Sequence, residues 1–271
     1  MIPCFSTVSL LSADLPLQLA AAAEAGFTLV EVWLTQLEEH LARHGDAQLR
    51  SILEDKQIRL VSAAYQGGLL LSQGEARREH YQQLQERLSL CQQFGVQTLI
   101  IAPDFADMPT PQDWQRAEVS LKQAAQLASS YQVRLALEFQ SPSRWCTCLP
   151  TALALLAAVD EPNVGLCLDL FHFYTGCSKL EDLGYLPSQR LFMVHMSDLS
   201  GVPREWARDA DRILPGDGEM PLDDIVKLLQ QIGYEGPFSL ELMNPQLWSI
   251  APAQVTSLGM QSLRRLLDRK S

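Results

Sequence analysis

In VGLCLDLFHFY, residues 164 to 174, the carboxylate of Asp169 interrupts an apolar run that otherwise reads as a buried strand, and His172 follows at its end. Three other stretches repeat the pattern. In RLALEF the bulky Leu135, Leu137 and Phe139 alternate with Ala136 and Glu138. In LFMVHMS, Phe192, Val194 and Met196 alternate with Met193, His195 and Ser197, and in FSLELMN, Phe238, Leu240 and Leu242 alternate with Ser239, Glu241 and Met243. Successive side chains of a strand point to opposite faces. The bulky sets therefore suit packing against outer helices, and Glu138, Asp169, His195 and Glu241 all point the other way, near the C-terminal ends of their strands.

Three carboxylates brought together in a sheltered place cannot all stay ionised unless a cation neutralises them, because like charge and burial both disfavour the ionised form. Each residue alone reads equally well as a buried polar group satisfied by hydrogen bonds. Four on successive strands read as a site for one divalent metal ion. Three oxygen donors and an imidazole suit Mn, Mg, Zn or Co and are too hard a set for Cu(I) or an iron–sulfur cluster.

Such residues need a scaffold that collects strand ends. Eight strand-like runs alternate with amphipathic segments: CFSTVSL, TLVEVWL, IRLVSAA, QTLIIAP, VRLALEF, VGLCLDL, LFMVHMS and FSLELMN. Helices are expected near 15–25, 46–56, 76–94, 113–131, 150–159, 179–184, 222–232 and 252–269. Glycines in AGFTLV, FGVQTL, EPNVGL and YEGPFSL mark the turns into the next strand. Alternating β and α units give a parallel sheet, and eight of them give a closed (β/α)8 TIM barrel with its chemistry at the C-terminal strand ends. An open doubly wound sheet usually carries a glycine-rich phosphate loop after its first strand, and SLLSADLP has no glycine. The expectation is one TIM-barrel domain over residues 1–271.

Around the metal candidates, His172 is expected in the loop leaving the sixth strand, either orienting a substrate hydroxyl or capping the next helix. The polar connection DLSGVPREWARDADRILPGDGEMPLDD is long for a compact domain, as loops that close over substrate often are. Within it, Arg212 is the candidate for anchoring a substrate oxygen or pairing with a site carboxylate. Glu31 in LVEVW is a weaker candidate, facing either the barrel or solvent. His40, His44 and His80 read as solvated.

A net charge of -11 disfavours nucleic acid, whose phosphates want clustered Lys and Arg. The N-terminus MIPCFSTVSL lacks a basic region of a signal peptide, and TALALLAAV is too short to span a membrane. A cytoplasmic protein is expected, its self-association left open. The six cysteines have no spacing typical of a disulfide scaffold or zinc finger and read as reduced thiols, and the pair in WCTC is too little for a soft-metal site.

LALEF, NVGLCLDLFHF, VHMSDL, DADRILPGDG and SLELMNPQLW together resemble the xylose-isomerase-like sugar phosphate isomerases and epimerases, in particular their inosose isomerase branch. The resemblance runs over the whole chain and is tightest from Val133 to Trp248. It implies metal binding at Glu138, Asp169, His195 and Glu241, with His172 and Arg212 beside the substrate. QSPSRWCTC lacks the Asn often seen before the family's Thr, and AAYQGG places Gln66 where other polar residues are usual, so the family's contacts to substrate hydroxyls are not expected to carry over unchanged. The expected activity is isomerisation or epimerisation of a sugar or cyclitol ketone. Glu138 and Glu241 would share the proton transfer through a metal-stabilised cis-enediolate. A dehydratase acting on 3-dehydroshikimate is the alternative. An endonuclease of abasic DNA would need more histidines from the early strands, and a non-catalytic sugar sensor would bind without turnover.

Overall fold

The apolar runs become eight short strands in the computed structural model, which describes residues 1–104 and 108–268. They are β1 (Ile2–Ser6), β2 (Leu29–Trp33), β3 (Arg59–Gln66), β4 (Thr98–Ile101), β5 (Arg134–Glu138), β6 (Val164–Asp169), β7 (Leu191–Met196) and β8 (Pro237–Leu240). They pair in chain order and β8 closes on β1, which is the expected (β/α)8 TIM barrel. Every residue of β4, β6 and β7 is buried, as strands covered on both faces must be.

The helices are α1 (Leu15–Glu24), α2 (Leu34–Asp55), α3 (Gly74–Phe94), α4 (Pro111–Ser130), α5 (Leu149–Val159), α6 (Leu170–Thr175), α7 (Leu222–Gln231) and α8 (Pro252–Leu267). Their ends follow local chemistry. Asp14 accepts a hydrogen bond from the Leu17 amide to cap α1, and Thr110 and Asp113 cap α4 reciprocally. Gly95 ends α3 at φ 70°, a left-handed conformation that glycine adopts without strain.

Two helices depart from expectation. α2 starts at Leu34, directly after β2, and bends at Gly45 (φ 73°), so the expected helix at 46–56 is only its second part. After β6 the chain turns at once into α6, while 180–185 forms a 3-10 helix. The last helix ends at Leu267, and residue 269 lies outside the described residues.

The chain divides into two compact units, Met1–Val61 with Val194–Ser271, and Ser62–Met193. In the first, β8 lies between β7 and β1, with Ser239 level with His195 on one side and Cys4 on the other, and Ser6 of β1 is level with Glu31 of β2. In the second, β5 lies between β4 and β6, with Glu138 level with Cys167. Among the described residues, no helix is long and apolar enough to cross a membrane.

Candidate active site

In the second unit, Glu138 and Asp169 are the last residues of β5 and β6, and both are buried. The Gln140 amide donates to Glu138 Oε2 at 3.2 Å, and the Cys167 thiol approaches Oε1 at 4.0 Å. Asp169 Oδ1 accepts the backbone N–H of His172 at 3.0 Å. Asp169 is thus itself the N-cap of α6, which corrects one reading of His172: the histidine is not a cap, nor is it in a loop, but sits inside α6 and is held by the cap. Its Nδ1 lies 3.3 Å from Ser141 Oγ, which in turn meets Thr175 Oγ1 at 2.8 Å. The loop after β5 and the helix after β6 therefore share a polar contact around this ring.

Gln66, at the end of β3, belongs to a separate network of the same unit. The buried Arg87 donates to the Tyr65 carbonyl at 3.0 Å and to Gln66 Oε1 at 3.1 Å, and the Gln66 amide donates to Gly67 O at 2.7 Å. These bonds leave Gln66 fixed by backbone and guanidinium.

In the first unit, five side chains form one connected chain of polar contacts. The Ser6 hydroxyl donates to Glu31 Oε1 at 2.6 Å, and Glu31 Oε2 lies 2.9 Å from His195 Nε2. His195 Nδ1 lies 3.2 Å from Glu241 Oε2, and Arg212 Nη1 reaches the same oxygen at 3.1 Å. Glu31, His195 and Arg212 are at most 1 % exposed and Glu241 only 5 %, so these charges act on one another with little solvent screening. Glu31, read from sequence as facing either the barrel or solvent, is buried at the core of this network.

Arg212 is where the long connection is anchored. Asp198 accepts hydrogen bonds from the amides of Leu199, Gly216, Gly218 and Met220, all between 2.8 and 3.0 Å. The Asp198 and Ile213 backbones pair in both directions, and the Asn244 amide donates to the Arg212 carbonyl at 2.9 Å. Asp209 takes the Nε and Nη2 of Arg212, leaving Nη1 directed at Glu241. Arg212 thus pairs with Glu241, one of the two roles expected for it.

One further expectation is corrected. His40 is not solvated: it is 6 % exposed, its ring meets that of His44 at 5.0 Å, and burial together with His44 lowers its pKa below the ordinary 6.5.

His195 stands between two carboxylates, and a neutral imidazole has one N–H to donate, so the ring nitrogen facing the other carboxylate calls for a second proton or a cation. Carboxylate and imidazole donors fit a hard or borderline divalent ion there.

A family model described as xylose isomerase-like TIM barrel matches residues 19–266. The chain is 24% identical to an inosose isomerase of Bacillus velezensis over 272 residues, covering 98% of this chain and 97% of the relative. It is 26% identical over 268 residues to a 3-dehydroshikimate dehydratase of Pseudomonas aeruginosa, covering 97% of this chain and 41% of that protein. Among solved structures, it superposes on the IOLI protein with a binding zinc atom at a TM-score of 0.94, with 23% identity and 99% of each chain covered.

Proposed function

The chain belongs to the xylose isomerase-like TIM-barrel family, and from that premise we propose that it is a divalent-metal-dependent isomerase or epimerase of a sugar or cyclitol ketone, its 271 residues acting as one barrel domain. The observation that carries the reading is the placement of Glu138, Asp169, His195 and Glu241. All four are buried and each stands at or next to the C-terminal end of one of the strands β5 to β8, and in this proposal they act together as the donor set of one ion. Inosose isomerases among the relatives support cyclitol ketones of the inosose kind as substrate and inositol catabolism as the setting.

Glu138, Asp169, His195 and Glu241 would hold a divalent ion, which when bound would supply Lewis-acid polarisation of a carbonyl and its neighbouring hydroxyl and so acidify the adjoining C–H bond. The chain's own groups do the rest. Glu138 and Glu241, from different strands, are the carboxylates that take and return the proton on the carbon beside the carbonyl. Arg212 holds Glu241 Oε2 in place, so its carboxylate keeps one orientation through the transfer. Glu31 fixes the His195 tautomer and ring plane through Nε2. His172, steadied by Ser141, is positioned to meet a substrate hydroxyl.

A second reading, a dehydratase of 3-dehydroshikimate, is favoured by the relative of that name and shares the first proton abstraction. One experiment separates them. Metal-loaded protein is incubated in D₂O with inososes, ketoses and 3-dehydroshikimate. Deuterium beside the carbonyl of an isomerised product supports the isomerase, and an ultraviolet-absorbing dehydrated product supports the lyase. Turnover with full retention of a substrate deuterium would contradict proton transfer through solvent-exchangeable carboxylates.

A further inference from the structure

We propose that Cys148 and Cys177 form a site for a reversible disulfide that clamps the loop after β5 to the loop after α6. Contacts on either side of the pair set its register. The Leu149 amide donates to the Ser178 hydroxyl at 3.0 Å. A Cβ built on Gly176 would come within 2.6 Å of the Thr147 carbonyl oxygen, so the two backbones touch there and only glycine fits. Residue 147 thus faces 176 and residue 149 faces 178, which leaves Cys148 facing Cys177. The hydroxyl of Thr147, the residue before Cys148, lies 3.9 Å from Cys177 Sγ. Facing residues on touching segments are the kind of pair a disulfide bridges.

Access differs between the six thiols in a way that favours this pair. Cys177 is exposed and the other five are buried, Cys148 the least completely of them at 8 %. Cys146, although two residues away, is only 1 % exposed, while the Cys148 thiol lies 3.6 Å from the Thr151 hydroxyl at the start of α5. A small disulfide such as glutathione disulfide can therefore reach Cys177 first. The Cys177 thiolate attacks it, forming a mixed disulfide and expelling one glutathione thiolate. The Cys148 thiolate then attacks Cys177 Sγ and expels the second, and the two cysteine protons end on the two glutathiones. Burial and the neighbouring Cys148 hold the Cys177 pKa above its ordinary value, so the exchange quickens as pH rises. The joined loops carry Ser141 on one side and His172 and Thr175 on the other, the residues whose contact steadies the His172 ring.

The proposal is independent of the catalytic reading, because it is read by mass and melting temperature. The full chain is incubated with glutathione disulfide, digested without reduction and analysed by mass spectrometry, with a thermal melt on the same sample. The expected result is a peptide linked through Cys148 and Cys177, loss of the one thiol titratable in the native protein, and a melting temperature raised by about 5 °C and restored by dithiothreitol. Cys177→Ser, at an exposed position, should abolish both the link and the shift, and Cys148→Ser should leave a stable mixed disulfide on Cys177. A stable mixed disulfide in the wild-type chain, a link to Cys146, or a link between two chains would overturn it.

Discussion

His195 Nε2 stands 2.9 Å from Glu31 Oε2, and the other oxygen of that carboxylate is held by Ser6 at 2.6 Å. The pair decides which ring nitrogen faces Glu241. Glu31→Gln keeps the shape but removes the charge that makes the ring a good donor. It should weaken divalent-metal affinity by about tenfold, measured by competition with a chelator, while circular dichroism stays unchanged. Wild-type affinity in the variant would reduce Glu31 to a packing residue.

His172 tests the division between holding the ion and meeting the substrate. Its backbone N–H, not its ring, bonds Asp169, so His172→Ala leaves that bond in place. We expect metal content at the wild-type level and turnover lower by about a hundredfold or more. Loss of metal in proportion to activity would place the ring among the ligands.

Asp198 is expected to matter more for stability than for chemistry. Its Oδ2 accepts from both Gly216 and Gly218, and Gly218 has no room for a Cβ beside that carboxylate. Asp198→Asn turns an amide donor, or a neutral acceptor, toward donors that now bond a charge. Urea unfolding should show a loss of about 2–3 kcal/mol with an unchanged m-value. A loss below about 0.5 kcal/mol would mean that the loop is held elsewhere.

The candidate site was legible from sequence because a strand's side chains alternate. A single Glu, Asp or His opposite a bulky apolar face stands out in RLALEF, VGLCLDL, LFMVHMS and FSLELMN. The barrel was legible for the same reason, repeated eight times. What pairs with what was not. Glu31 sits in LVEVW beside Trp33, where alternation gives a face but not a partner, and only the β1–β2 register brings Ser6 level with it. His40 looked solvated among charged neighbours because local polarity says nothing of what packs over a helix. α6 was missed because LFHFYT continues an apolar strand without a break, and the signal that ends the strand is Asp169 acting as a cap, a role its sequence position shares with a metal ligand.

His40 gives the fold a mild acid sensitivity of known sign. Its folded pKa lies below the ordinary 6.5, so the native state binds fewer protons than the unfolded chain in that range. The stability this contributes is complete above about pH 6.5 and declines as pH falls toward the folded pKa. His40→Gln should flatten that part of the urea-midpoint profile between pH 7 and 5.5. An identical slope in the variant would assign the effect to another group.

The account rests on four strand ends holding one ion, and metal content in purified variants tests that most directly. Asp169→Asn and His195→Ala each remove one donor without touching the bulky outward set of β6 or β7. Elemental analysis after loading with Zn or Mn, on samples whose circular dichroism matches the wild type, should show about one metal per wild-type chain and little in either variant. Near-stoichiometric metal retained by both variants would contradict the proposed ligand set, and with it the mechanism built on Glu138 and Glu241.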